Sequence, residues 1–217
     1  MNILDLPNAT IQLLQNYFSD EKSIEYFKYL SNPENVNWKQ ESMNLYGQEL
    51  NYPRLIAWYG EAEKNYRFSG KTQNPNDWSK NSIIMEIKAE LEAEAGETFN
   101  SVLLNKYRDG QDSIGWHSDN EKELGENPTI FSLSLGSERT FKMRRFDRSQ
   151  FLCPFTDKYR KSTNIPLAHN SLLIMKGETQ AHWQHAIDKQ KDPEFDMFSK
   201  IQSLERINLT FRNIKDI

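Results

Sequence analysis

Cysteine is almost absent: Cys153 stands alone among 217 residues. It has no partner for an intramolecular disulfide and no neighbour at zinc-site spacing, which argues against a disulfide-stapled secreted fold and for a reducing compartment. Long apolar runs are missing as well. Nothing approaches the roughly 20 residues that span a bilayer, and Met1 to Pro7 has neither the basic segment nor the apolar core of a secretory leader. The expected location is cytoplasmic, or nuclear too in a eukaryote, with no membrane partner. Nor is there an excess of positive charge: 27 Lys and Arg against 31 Asp and Glu leave a net −4. A global positive field that would gather nucleic acid is therefore excluded, although local basic patches are not. Histidine is the last scarce residue, with only His117, His169, His182 and His185.

What is plentiful is core material. Hydrophobic residues make up 37% and aromatics 12%, including 5 Trp, 9 Tyr and 12 Phe, so the chain predicts one folded domain over 1–217 and a monomer. Residues 19 to 31 open with Ser19, Asp20 and Glu21 and place Ile24, Phe27 and Leu30 on one face, the pattern of an amphipathic helix. Residues 81 to 95 repeat it through Ile83, Ile84, Ile87 and Leu91 and stop at Gly96. From Phe99 the period changes to two. Strands are predicted over 99–107, 129–135, 139–145, 165–167, 171–175 and 206–212. Many short strands after two helices give an α+β class: a double-sheet jelly roll, or double-stranded β-helix, with supporting N-terminal helices. Segments 147–164 and 188–205 read as insertions. Arg139, Lys142, Arg144, Arg145 and Arg148 read either as one side of a groove or as a solvated strand and loop.

The chemistry centres on Asn105 to Asp119. His117 and Asp119 are two apart, so on an extended backbone they share a side and can grip one ion together. Of the other histidines, His185 in Gln-Ala-His-Trp-Gln-His is the chosen third ligand. Two histidines and a carboxylate form the facial set typical of non-haem Fe(II) oxygenases, whereas zinc more often takes a third histidine or a cysteine. The strand Arg206-Ile-Asn-Leu-Thr-Phe-Arg212 puts Arg206, Asn208, Thr210 and Arg212 on one face. That face is either the solvated side of an ordinary edge strand or a site for a small dicarboxylate, which Asn105 and Tyr107 would complete.

Taken in order, Asn-x-Tyr, His-x-Asp, Trp-Gln-His and Arg-x-Asn-Leu-Thr-Phe-Arg resemble the AlkB family of Fe(II)/2-oxoglutarate dioxygenases over roughly residues 50 to 213. Upstream, Pro53-Arg-Leu-Ile-Ala-Trp-Tyr-Gly60 and Tyr66-Arg-Phe-Ser-Gly70 resemble the nucleotide-recognition lid of its nucleic-acid repair branch. The resemblance implies a lid at about 40–78 and a jelly-roll core at about 99–213. It assigns His117, Asp119 and His185 to Fe(II), with 2-oxoglutarate and O2 as co-substrates. Asn105, Tyr107 and Arg206 would meet the distal carboxylate of 2-oxoglutarate, and Arg212 with Asn208 the carboxylate nearer the metal. Arg54, Tyr59, Tyr66, Phe68 and Glu121 become substrate contacts, Phe68 and His117 lying on either side of a flipped base.

The implied reaction is oxidative demethylation of N-alkylated bases of the 1-methyladenine or 3-methylcytosine type in DNA or RNA, with the methyl carbon released as formaldehyde. Single strands are expected to be preferred, because extracting a base from a duplex costs stacking and pairing; Leu45-Tyr46-Gly47 is a candidate wedge. His182 and His169 are read as packing and turn residues. Two departures from the family pattern, the long charged stretch between His185 and Arg206 and the amide Asn120, bear on substrate contacts. The alternatives are an AlkB-like oxygenase acting on protein or small molecules, and a non-catalytic jelly-roll module that holds a metal structurally.

Overall fold

The computed structural model describes residues 2–45, 47–62, 66–68, 71–145, 162–191 and 203–215; the side chains of 44–45, 66–68 and 71–73 lie outside that description. The strands are β1 (Asn2–Leu4), β2 (Thr10–Leu14), β3 (Ser42–Leu45), β4 (Gln48–Asn51), β5 (Leu55–Gly60), β6 (Tyr66–Phe68), β7 (Lys71–Gln73), β8 (Asn76–Asp77), β9 (Ser101–Tyr107), β10 (Ile114–His117), β11 (Ile130–Gly136), β12 (Arg139–Arg145), β13 (Ser162–Leu167), β14 (Ser171–Lys176), β15 (Trp183–Ile187) and β16 (Arg206–Arg212). The helices are α1 (Asp20–Ser31), α2 (Ser82–Ala95) and the single turn α3 (Thr179–His182). None of the described helices is long and apolar enough to cross a membrane.

Both long helices start and stop where their caps dictate. Ser19 accepts the Lys22 N–H at the start of α1, and Asn81 accepts the Ile84 N–H at the start of α2. Side-chain oxygens at these positions satisfy amide groups that have no carbonyl partner within the helix. Gly96 ends α2 with φ +65, a left-handed conformation that suits glycine. Ile83, Ile84, Ile87 and Leu91 of α2 are buried, as are Tyr26, Phe27 and Leu30 of α1. Burial of each such side chain stabilises by about 1.5 to 3 kcal/mol relative to exposure.

An eight-stranded sheet runs β1-β2-β14-β11-β16-β9-β5-β8, and a four-stranded sheet runs β10-β15-β12-β13. Period two sorts the large sheet into two faces. Val102 and Leu104, Phe131 and Leu133, Leu172 and Ile174, and Ile207, Leu209 and Phe211 pack with the helices in one core. Ile11, Tyr107, Ile130, Leu173 and Met175 face the other way and meet Phe141, Met143, Ile165, Trp183 and Ile187 of the small sheet in a second core. This is the face-to-face packing of a jelly roll with helices covering one outer surface. Gly136, at φ +99, shows how tightly the helical layer closes: a Cβ there would lie 2.2 Å from the Glu205 carbonyl oxygen and 2.6 Å from the Phe27 ring.

One open alternative is decided and two sequence expectations change. β16 is no edge strand: it sits between β11 and β9 with all seven residues buried, so its polar face is enclosed by the two sheets. The lid segment 40–78 divides, because β5 belongs to the large sheet, while the hairpins β3–β4 and β6–β7 form separate two-stranded sheets. The insertion expected at 147–164 gives its last residues to β13, whose Ser162 already pairs with Arg144. Residues 146–161 and 192–202, which carry most of both insertions together with Arg148 and Cys153, lie outside the described residues, as does Tyr46 of the wedge candidate.

Candidate active site

β10 and β15 carry the histidine ligands. They pair at Ile114↔Ile187 and His117↔His185 with an irregularity between, two residues of β10 opposing one of β15. Such a bulge re-aims side chains, and here it sets His117 beside His185 with ring centroids 4.2 Å apart. His117 Nδ1 lies 2.8 Å from the Gly115 carbonyl oxygen. A proton donated there leaves the Nε2 lone pair for a ligand, and Nε2 is 3.9 Å from Asp119 Oδ1. One ligand atom each from His117, Asp119 and His185 lies within 4.8 Å of the others, so the three residues converge on one position.

The electrostatics suit a divalent cation. Burial pushes the Asp119 carboxyl up, but Arg212, His185 and His117 together outweigh it and hold the group at about 2. Arg212 Nη2 donates to Asp119 Oδ1 at 2.9 Å. Burial first, then His117, pushes the His185 imidazole down to about 3, more than Asp119 draws it up. An ionised carboxylate beside a neutral imidazole is the protonation pattern that metal ligation requires. Phe141 stacks on His185 at 4.9 Å and fixes the ring plane. Behind the triad, the Asp119 N–H donates to Gln180 Oε1 at 2.9 Å and Ser118 Oγ donates to the Trp183 carbonyl at 2.8 Å. Two segments distant in sequence are thus tied together directly behind the ligands.

The same cavity is lined by Asn105, Tyr107, Arg206, Asn208, Thr210 and Arg212, with Leu103, Ile114, Ser132, Met175 and Ile187. Arg206 is the informative residue. Its Nη2 donates to Ser134 Oγ at 2.9 Å, while Nε and Nη1 are buried with no hydrogen-bond partner. Burial lowers its pKa to about 10, with Tyr107 opposing the change. Buried N–H groups on a cation are costly to leave without acceptors, which fits a site that takes a carboxylate. The residues therefore suit both a divalent metal and a small dicarboxylate.

Residues 10–212 match the 2OG-Fe(II) oxygenase superfamily. The chain belongs to this superfamily. The superfamily's name is that of 2OG-Fe(II) oxygenases, which agrees with the metal triad and the cavity suited to a small dicarboxylate. Among similar curated proteins, "Alpha-ketoglutarate-dependent dioxygenase alkB homolog 3" of Rattus norvegicus is 42% identical over 185 residues, covering 83% of this chain and 57% of the relative. "DNA oxidative demethylase ALKBH2" of Mus musculus is 34% identical over 194 residues, covering 89% of this chain and 72% of the relative. The chain thus spans little more than half the length of the rat relative. A solved structure, "The structure of OsALKBH1", superposes with TM-score 0.53 at 15% identity, covering 98% of this chain and all of that one, which supports the fold.

Other expected positions fall differently in this oxygenase. Tyr59, expected at the substrate, is buried in the helix-side core, and its hydroxyl accepts the Asn37 N–H at 3.1 Å. Alternation along β5 sends Ala57 and Tyr59 to the helices and Ile56 and Trp58 to the opposite face, where Trp58 packs with Leu103 and Leu124. Arg54, also expected at the substrate, is 3% exposed, and its Nε donates to Asn105 Oδ1 at 2.7 Å, so it sits behind a residue of the cavity wall. The Asn208 amide donates to Ser132 Oγ and the Leu133 carbonyl, and its oxygen accepts from Thr210, so it braces β16 against β11. Glu121 is half-buried, with Oε2 buried and unpaired. Tyr66 and Phe68 lie on β6, and their side chains are outside the described residues.

His182 lies 3.8 Å from Glu178, and His169 bridges the Gly136 N–H and Ser23 Oγ; neither belongs to the triad. The basic cluster splits. Arg139 is buried, Lys142 pairs with Asp188, and Arg144 bonds Gln184 over the Trp116 ring. Sequence reasoning passed over Ser132, Ser134 and Gln180. The two serines were legible in Ile-Phe-Ser-Leu-Ser-Leu, where both fall on one face of an otherwise apolar strand. Gln180 carried no such signal, because its partner is a backbone amide 61 residues away.

Proposed function

We propose that this chain is a 2-oxoglutarate-dependent dioxygenase that removes N-linked methyl groups from nucleobases of the 1-methyladenine or 3-methylcytosine type in DNA or RNA. The observation that carries the oxidative chemistry is one cavity lined both by the convergent His117, Asp119 and His185 and by Arg206, whose buried Nε and Nη1 have no hydrogen-bond acceptor. His117, Asp119 and His185 would hold Fe(II), which when bound supplies an open face for O2 activation coupled to oxidation of 2-oxoglutarate. Arg206 and Tyr107 would bind the distal carboxylate. Arg212 would bridge Asp119 and the carboxylate nearer the metal.

Substrate class rests on two supports. One similar protein is named an alpha-ketoglutarate-dependent dioxygenase, alkB homolog 3, and another a DNA oxidative demethylase. In this chain, Glu121 holds a buried carboxylate oxygen without a donor, two residues after the ligand Asp119. Glu121 does not itself line the cavity, but a base seated beside Asp119 could offer it an N–H, and the exocyclic amino groups of adenine and cytosine bring one. Single strands are the favoured form, because a net charge of −4 gives little electrostatic help towards the few kcal/mol needed to open a duplex. Residues 1–217 are read as one catalytic domain, monomeric and cytoplasmic.

The test is formaldehyde release from matched single-stranded and duplex oligonucleotides bearing 1-methyladenine or 3-methylcytosine, with Asp119→Ala as the blank. Release dependent on Fe(II) and 2-oxoglutarate, faster on single strands, is expected. Turnover of 2-oxoglutarate without formaldehyde from any methylated oligonucleotide would overturn the substrate class, and faster duplex repair would overturn the strand preference.

A further inference from the structure

Arg139 is a cation sealed inside the fold. It opens β12, is 1% exposed and belongs to no part of the site described above. Its guanidinium reaches three carbonyl oxygens on two different loops. Nη1 donates to Asp109 at 3.1 Å, and Nη2 donates to Asp112 at 2.8 Å and to Asp188 at 2.6 Å. The first two belong to the loop joining β9 to β10, that is, Tyr107 to His117. Asp188 directly follows β15, which carries His185. The loops also meet without it, since the Gln190 N–H donates to the Gly110 carbonyl at 2.9 Å.

This placement matters because β10 and β15 hold each other poorly. Their register has only two matched positions, Ile114↔Ile187 and His117↔His185, with a bulge between. The ends of the two strands therefore need an external brace, and the planar fork of an arginine can bridge acceptors on both loops at once. Arg139 also lies 5.4 Å from the centroid of the Tyr107 ring, and Arg206 lies 5.2 Å from the same ring. Tyr107 is thus held by two guanidinium groups, one belonging to the co-substrate cavity and one belonging to the brace.

We infer that Arg139 is a positioning residue for the co-substrate site, clamping the β9–β10 loop to the end of β15 and holding Tyr107 for the distal carboxylate of 2-oxoglutarate. It touches neither metal nor co-substrate and acts through Tyr107 and the two loops. The inference rests on the oxygenase reading of the cavity. It also predicts a direction of coupling: filling the distal carboxylate site stiffens the clamp, because Tyr107 and both loops share one cation.

The test uses the whole chain loaded with Mn(II), a redox-inert stand-in, and calorimetric titration of 2-oxoglutarate. Arg139→Lys keeps the charge but loses the planar fork, and Arg139→Met removes both. Asn81→Ala serves as control, since it removes the α2 cap bond to the Ile84 N–H and lines no part of the cavity. Affinity for 2-oxoglutarate is expected to fall about tenfold or more in both Arg139 variants, the scale on which residues that orient a site act, and to stay near wild type in the control. In turnover, the same variants should raise the 2-oxoglutarate KM more than they lower kcat. Unchanged affinity in a folded Arg139→Lys protein, or an equal loss in Asn81→Ala, would overturn the inference.

Should the variants fail to fold, hydrogen exchange of the wild type decides. Added 2-oxoglutarate should slow exchange at the Arg108 and Gln190 amides together, and no change there would overturn the inference. A wild-type chain that binds no 2-oxoglutarate at all would instead overturn the oxygenase reading.

Discussion

Arg212 and Asp119 form a buried ion pair, Nη2 to Oδ1 at 2.9 Å, that ties the last residue of the central strand β16 to the carboxylate of the metal triad. Removing one partner of such a pair strands the other charge and costs about 3 to 5 kcal/mol. Arg212→Met is therefore expected to lower the stability of the metal-free chain on that scale. A divalent cation at the triad would supply the missing positive charge. Added Mn(II) should then raise the unfolding temperature more in Arg212→Met than in wild type, a comparison that thermal denaturation makes directly. Equal shifts would separate the pair from the metal site.

Metal content after reconstitution checks the ligand set. His117→Ala, Asp119→Ala and His185→Ala are each expected to lose bound iron and 2-oxoglutarate turnover. His169→Ala and His182→Ala should keep iron, because His169 is committed to Gly136 and Ser23 and His182 lies by Glu178. Normal iron in His185→Ala would remove it from the triad.

Arg206→Lys should weaken 2-oxoglutarate binding although the charge remains. An ammonium cannot reproduce the planar array in which Nη2 holds Ser134 Oγ while Nε and Nη1 remain for other acceptors. The loss of a buried charged contact is on the order of 2 to 5 kcal/mol. Titration of the co-substrate reads it, and an unchanged affinity would place the dicarboxylate elsewhere.

Asp112 gives a pH-dependent prediction outside the triad. Burial pushes its carboxyl up, but the Arg108 side chain, at 2.7 and 2.8 Å, and the Arg108 backbone N–H outweigh this and hold it below its usual 3.8. A carboxyl depressed in the folded state stabilises above its unfolded value and loses that contribution as pH falls through the folded one. Asp112→Asn should therefore cost about 1 to 3 kcal/mol at pH 7. Denaturant titrations of the two proteins should converge as pH drops below about 3.8. A difference that persists undiminished at low pH would show that the charge is not what holds the loop.

Much of this was legible in the residues because it depends on local periodicity. Two helices with their caps, the run of short strands and the shared face of Arg206, Asn208, Thr210 and Arg212 all follow from spacings of 3.6 and 2, which side-chain geometry imposes wherever the chain lies. The pairing of His117 with Asp119 has the same origin. Where the face of a strand points is a different matter. β16 reads equally well as a solvated edge or as the floor of a pocket, and only its place between β11 and β9 decides. Tyr59 and Arg54 carry residue types that suit a nucleic-acid contact, yet the sheet turns one into the helix-side core and the other behind Asn105. Arg139 looks like one more member of a basic run until two loops close over it. Composition and period determined which elements form and which side chains share a face. The long-range pairing of strands decided which faces are enclosed, because burial, and with it the protonation state and hydrogen-bond partners of each polar group, is a property of the assembled sheets.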